Sequence, residues 1–386
     1  MTETTTPLST SNEELRRYAD AALRDGSLSA IDLQDKALLV TEGRAIVLDQ
    51  SQAESDTAQD PALDSADLDA ELSVAAKDDS WVLPPASLVG STSDDGAVAP
   101  ASDIPTSSDA AEPEGSMDVT LGRDTEGIPL IVDLAEMPHI LIGGAAGFRY
   151  RSGLNPFLTS LLMRYTPDEV RMILIGSEDS GVRQYEGTPH LLIPPVTDPH
   201  RAVNAFRWAV QEMERRLEFL DECRCNDIDR FNAAFDRGEF QVKEEPISPD
   251  FETPQYRRLP RILLVVGELA DLTSAGFQDV EEATVRLGQI GQRVGIHLVI
   301  ATQRPTVDSV TGLMRAAVPA RISYAVPRKM DSLVILGTPG AESLRGKGDM
   351  LFLSPAAPTP QRIQGAQVGA SDIKKITDHW REQIDG

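Results

Sequence analysis

The stretch PHILIGGAAGFRYRSGLNPFLTSLLMRY, Pro138 to Tyr165, sets an apolar run, Ile140 to Ile142, before a glycine turn and an amphipathic segment. In such a strand–loop–helix layout, backbone N–H groups at a helix start can surround a phosphate. A working nucleotide site also needs a lysine to neutralise the β- and γ-phosphates and a Ser or Thr hydroxyl to hold magnesium. The loop candidates here are Gly144, Ala145, Ala146, Gly147, Phe148, Arg149, Tyr150, Arg151 and Ser152. Arg149, Tyr150 and Arg151 stand where Gly-Lys-Ser/Thr is required. A tyrosine at position 150 is neutral at pH 7 and offers no ammonium. Ser152 comes one position late, which turns it about 100° around the following helix. A second apolar run, RILLVVGELADL from Arg261, should end in a carboxylate pair, one acid anchoring the magnesium shell and one polarising water. Gly267 replaces the first of these, and Glu268 remains as a vestigial base.

Elements that could carry these residues are legible in the apolar pattern. Runs at Ile140–Ile142, Met172–Ile175, Arg261–Val266, Ile296–Ala301, Ala320–Ala325 and Met350–Leu353 alternate with helical stretches near 153–164, 199–221, 278–294 and 329–336. Near-continuous Ile/Leu/Val strands separated by helices predict an α/β fold with a mostly parallel sheet covered on both faces. Three regions are expected: a small helical module over 1–50, an acidic flexible linker over 51–117, and the α/β domain over 118–386. The linker holds one apolar island, WVLPPASLV, with enough hydrophobic surface to dock on something.

Composition narrows the classes of function. The 386 residues carry a net charge of −25, and residues 1–118, with 25 Asp/Glu against 6 Lys/Arg, contribute −19 of it. Such a leader opposes nonspecific nucleic-acid binding, whereas the remainder is only mildly acidic. Cys223 and Cys225 provide no disulfide framework, which fits a reducing cytoplasm. His139, His190, His200, His297 and His379 are scattered without metal-ligand spacing, so no metal site is expected. No run approaches the roughly 18 apolar residues of a membrane span.

Several blocks carry a specific resemblance. GRDTEGIPLIVDLAEMPHILIGG (Gly122 to Gly144), YEGTPHLLIPPVTDPHRAVNAFRWAVQEMERRLEFL (Tyr185 to Leu220), GIHLVIATQRPTVDSVTGLMRAAVPARIS (Gly295 to Ser323) and GAESLRGKGDML (Gly340 to Leu351) resemble the motor core of the FtsK/SpoIIIE family of DNA translocases. The likeness covers about residues 118–385. It implies a RecA-like P-loop fold, assembly into a ring around duplex DNA, and ATP with Mg2+ held between subunits. It also places Gln303 as the polar sensor and Arg315 and Arg321 near the DNA channel. The same comparison exposes departures. IGSEDSG (Ile175 to Gly181) stands where the family carries Asp-Pro-Lys, and Leu333 stands where it carries an arginine. Asp227 and Asp229, in CRCNDIDRFNAAF, fall where it is basic or small, with Arg224 and Arg230 as partial compensation. The segment Tyr18 to Glu54 has a fainter likeness to the family's winged-helix domain, with Asp35, Leu38 and Glu42 in place of basic recognition residues. No α subdomain, anchor or C-terminal winged helix is expected.

Three readings follow. In the first, the chain is a catalytically degenerate pseudo-ATPase, acting as a non-catalytic subunit or scaffold in a homo- or hetero-oligomeric ring with FtsK-like subunits. The second is an active ATP-dependent translocase with an atypical site, and the third a DNA-binding adaptor. The missing lysine, hydroxyl and acid favour the first over the second, and the acidic leader disfavours the third. Double-stranded DNA contact is expected to be weakened, because phosphate contacts dominate duplex affinity.

Overall fold

The computed structural model describes residues 36–41, 44–49, 81–88, 117–145, 153–177, 180–240, 257–366 and 368–385. Chain contacts divide the protein into two units, Met1–Ala62 and Leu63–Gly386. In the first, β1 (Lys36–Thr41) and β2 (Arg44–Asp49) form an antiparallel hairpin, with Lys36 opposite Asp49 and Thr41 opposite Arg44. The described elements of this front unit are therefore strands, where a helical module is expected over 1–50; the rest of that span lies outside the described residues.

The second unit is built on a nine-stranded sheet, ordered β4-β3-β11-β10-β9-β5-β8-β7-β6. Its strands are β3 (Asp118–Asp124), β4 (Pro129–Asp133), β5 (His139–Gly143), β6 (Val170–Ile175), β7 (Arg261–Val266), β8 (Ile296–Thr302), β9 (Ala320–Tyr324), β10 (Asp349–Leu353) and β11 (Gln361–Gly365). From β6 to β9 every pairing is parallel. From β9 to β4 every pairing is antiparallel, so the sheet is mixed. Parallel strands need both faces covered, and β5 to β8 are buried along their whole length. Their uninterrupted apolar runs are the sequence form of that environment.

Helices cover the two faces. On one lie α1 (Leu154–Arg164) and α7 (Ala370–Asp385), with Phe157, Leu158, Leu161, Ile376 and Trp380 in a core shared with β5, β9 and β10. On the other lie α2 (Pro199–Glu222), α3 (Ile228–Asp236), α4 (Thr273–Ile290) and α5 (Gly312–Ala317). A further helix, α6 (Lys329–Leu336), follows β9 and packs with Val326 and Ala341 in a third cluster. The long α2 starts as helix chemistry dictates: Pro199 occupies the first turn and the Asp198 side chain accepts from the Arg201 N–H at 2.9 Å.

The antiparallel extension turns on a glycine. Gly122 has φ 152° beside a register shift in the β3–β4 ladder, and an added Cβ there would overlap the Gln364 carbonyl of β11. Residues 81–88, inside the stretch read from composition as linker, lie against α7.

Candidate functional site

The carboxyl ends of β5, β7, β8 and β9 meet on one edge of the sheet, where open α/β sheets place their ligands. β8 lies between β5 and β7, and the chain leaves β5 by a loop through Gly144 and Ala145. The start of that loop is pinned to its neighbours. Gly144 N–H donates to the Thr302 carbonyl at 3.2 Å, and Ala145 N–H to the Ala325 carbonyl at 2.9 Å. Just before it, Gly143 is covered by the Ile335 side chain of α6, which a Cβ at 143 would strike. Ala146 to Ser152, and with them the Arg149-Tyr150-Arg151 triplet, lie outside the described residues.

At the end of β7, Gly267 N–H donates to the Ile175 carbonyl at 2.8 Å and contributes no side chain. The carboxylate of Glu268, 8% exposed, turns into the protein. Its Oε1 accepts from the Thr302 hydroxyl at 2.7 Å and from the Ala270 N–H at 3.1 Å, and its Oε2 accepts from the Gln303 N–H at 2.9 Å. Thr302 Oγ1 in turn accepts from the Arg304 N–H at 3.1 Å. The Arg304 side chain closes the arrangement on Asp271 at 3.0 Å. Glu268 thus joins the turn after β7 to the end of β8, and the structure brings together both residues expected at this edge, Glu268 and Gln303. Thr302 is the member that sequence reading missed. Its signal is a polar residue closing an otherwise apolar strand, next to Gln303.

The helix α6 lies by this edge as well, its Ile335 against Gly143. Leu333 is half-buried in α6, while Arg328 before that helix pairs with buried Asp331 at 2.8 Å. Among the described residues, no group of three or more His, Cys, Asp or Glu side chains is arranged to hold a metal.

The residues expected near a DNA channel are also described. Arg321, in β9, donates to the Arg315 carbonyl at 2.7 Å and reaches the Leu336 carbonyl at 3.5 Å. These are acceptors in the last turns of α5 and α6, where helix carbonyls lack intrahelical partners. Burial, and then the neighbouring Arg315 guanidinium, hold Arg321 below the usual arginine range. Arg315 is half-buried on α5, with its Nε shielded from solvent. Arg321 therefore has a sufficient structural task of its own. In the 223–235 stretch, Asp227 caps α3 by accepting from the Arg230 N–H at 2.8 Å, and Asp229 pairs with Arg261. Burial raises the Asp229 pKa, and Arg261 opposes that rise.

Comparison with known proteins agrees with this architecture. The family described as FtsK/SpoIIIE matches residues 103–307. Curated relatives include a DNA translocase FtsK of Streptomyces avermitilis, 43% identical over 282 residues, covering 73% of this chain and 30% of the relative. Another, from Haemophilus influenzae, is 38% identical over 298 residues, covering 74% of this chain and 56% of the relative. The chain thus spans about a third to just over half of these relatives' lengths. Among solved structures, the pCW3 conjugation coupling protein TcpA, a monomer form with ATPγS, aligns at a TM-score of 0.56 and 24% identity over 69% of this chain and 71% of that one. The cytoplasmic domain of the Thermomonospora curvata type VII secretion ATPase EccC aligns at 0.57 and 21% identity, over 70% and 31%. At these identities the structural likeness concerns the fold.

Proposed function

The chain belongs to the FtsK/SpoIIIE family, and from that premise we propose that it is a catalytically degenerate member, a pseudo-ATPase serving as a non-catalytic subunit or scaffold. The observation that carries this reading is the bonding of Glu268. Its two oxygens accept three donors from Thr302, Gln303 and Ala270, so the one acid left at the edge works as a clamp between two loops. The residues present do not fit a magnesium–nucleotide complex. Gly267 offers no ligand, the Thr302 hydroxyl is engaged, and the sequence places Tyr150 and Arg151 where lysine and a hydroxyl belong. Loss of such charge stabilisation costs orders of magnitude in rate.

The scaffold, by contrast, is kept: the parallel strands and the helices beside them are present. The chain therefore works through that scaffold, in a homo- or hetero-oligomeric ring with FtsK-like subunits that acts in DNA translocation, chromosome segregation or cell division. Arg315 remains its best-placed contact to duplex DNA, with Asp227 and Asp229 weakening the opposite loop. Among the described residues no helix is long and apolar enough to cross a membrane. The proposed place of action is the cytoplasm.

A fluorescent ATP analogue, titrated with and without magnesium beside a phosphate-release assay on duplex DNA, tests the reading. The expected result is no magnesium-dependent binding and no DNA-stimulated release above background. Turnover of about one per second, the low end for ordinary enzymes, that Glu268→Gln abolishes would overturn it.

A further inference from the structure

Residues 81–88 lie on α7 as a peptide ligand lies in a groove. The main chain of Val82 is read at both its groups. Its N–H donates to Gln383 Oε1 at 2.8 Å, and its carbonyl accepts from Gln383 Nε2 at 3.0 Å and from His379 Nε2 at 2.8 Å. The Val82 side chain, by contrast, is 60% exposed. Trp81 meets Trp380 edge-on at 5.9 Å, Trp81 and Leu83 pack on the core beneath, and Pro84 is buried. Alternating side chains pointing inward, main-chain contacts and an aromatic floor are how short proline-bearing peptides are recognised. Pro84 and Pro85 also restrict the segment before it docks, which lowers the ordering penalty.

The floor is rigid. Trp380 is fully buried, donates its indole N–H to the Leu162 carbonyl of α1 at 3.0 Å, and stacks edge-on against His190 at 4.6 Å. The Trp81 indole lies toward the Asp168 carboxyl, whose pKa is raised by burial and lowered in turn by Arg171 and by that indole.

We propose that this α7 groove is a docking site for the Trp-Val-Leu-Pro-Pro segment, and that between two copies of the chain the segment of one occupies the groove of the other. Residues 89–116 join Leu88 to Met117, where the core resumes. Fully extended they reach on the order of 90 Å, enough to span to an adjoining copy. The contacts of Val82 are made 297 and 301 residues away in sequence, and each is identical whichever copy supplies the segment. Exchange of identical elements between protomers is a low-penalty route to assembly. The inference needs no nucleotide and stands apart from the reading of the phosphate edge.

The test uses full-length chains. A fluorescein-labelled WVLPPASLV peptide should bind the Trp81→Ala/Leu83→Ala chain saturably, by anisotropy, and at least tenfold more weakly the unaltered chain, whose own segment fills the groove. His379→Ala/Gln383→Ala should remove the binding. Leu83→Asp, which sets a carboxylate against the apolar core and so displaces the segment without altering α7, serves as the open-groove variant should the aromatic one fail to fold by circular dichroism. Next, the Trp81→Ala/Leu83→Ala chain is mixed with a tagged His379→Ala/Gln383→Ala chain, so that one copy offers an open groove and the other a free segment. This pair should be co-retained on the tag at least tenfold more than either variant with itself. Absence of peptide binding to a folded open-groove variant overturns the proposal, and so does peptide binding without co-retention of the mixed pair.

Discussion

Two buried glutamates sit at opposite ends of β7 and are held in opposite ways. At the end where β7 begins, Glu212 of α2 accepts from Arg216 Nε at 2.6 Å and from Arg215 Nε at 2.7 Å. Arg216 then donates to the Pro260 and Val294 carbonyls at 2.8 and 3.0 Å, and both side chains of the pair are 1% exposed. At the end where β7 finishes, the described partners of Glu268 are neutral: a hydroxyl and two backbone N–H groups. Burial pushes the Glu212 carboxyl upward, but Arg216 and Arg215 bring it below the usual glutamate range. One end is a charge pair that folding depends on. The other is an acid held by neutral donors, joining the turn after β7 to the end of β8.

The largest effect should come from breaking the charge pair. Arg216→Met leaves Glu212 buried without its main counter-charge, and should lower stability by about 3–5 kcal/mol, read as a shifted urea midpoint. Glu212→Leu combined with Arg216→Met should recover most of that loss, since no orphaned charge remains. A small effect of the single change would show that this end relaxes to admit water.

Acid should attack the same end next. His139, at the start of β5, and His297, in β8, lie with ring centres 6.4 Å apart. Burial brings His139 down to about 4. Burial, and then His139 and Arg261, hold His297 well below the ordinary range. Both folded values lie below the unfolded one, so the stabilisation is complete above pH about 6.5 and is lost as pH falls toward the folded value. For His139 alone the full loss is about 3 kcal/mol. Denaturation midpoints followed from pH 7 to pH 4 should fall steadily, and His139→Gln should flatten part of that slope.

The smallest of the three concerns the other end. Glu268→Ala leaves the Thr302 hydroxyl and two N–H groups without their acceptor and should lower stability by about 1–3 kcal/mol. Glu268→Gln keeps an acceptor oxygen and should lose less. If Glu268→Ala proved as damaging as Arg216→Met, the edge would be a structural keystone on a par with the base, and the contrast between the two glutamates would disappear.

How much of this was legible beforehand differs by region. The six strands predicted from apolar runs, β5 to β10, are all present; β5 to β8 are buried on both faces, and such strands must be apolar along their length. β3, β4 and β11 went unpredicted. DVTLGRD and QRIQG hold few apolar residues among charge and glycine, while PLIVD is short and opens on proline; β4 forms the sheet edge with Ile131 at 41% exposure. That suits β4, one side of whose ladder is open; β3 and β11 are paired on both sides, and the two meet only across more than 230 residues of chain, Gly122 opposite Gly365. The island at Trp81 was visible as hydrophobic surface in a polar stretch; its landing place on α7 was not.

The family, the α/β alternation and the absence of lysine at position 150 are properties of residues close together in the chain, and the sequence alone determined them. Which atoms Glu268 faces was decided by the tertiary structure. Thr302 lies 34 residues away, and only the insertion of β8 between β5 and β7 brings it within 2.7 Å. The same holds for Arg216 against Val294, 78 residues apart, and for Val82 against Gln383, 301 apart. Periodicity reports which face of an element is buried over one or two turns. The partner met on that face is set by closing the chain over long loops, a choice that no local pattern encodes.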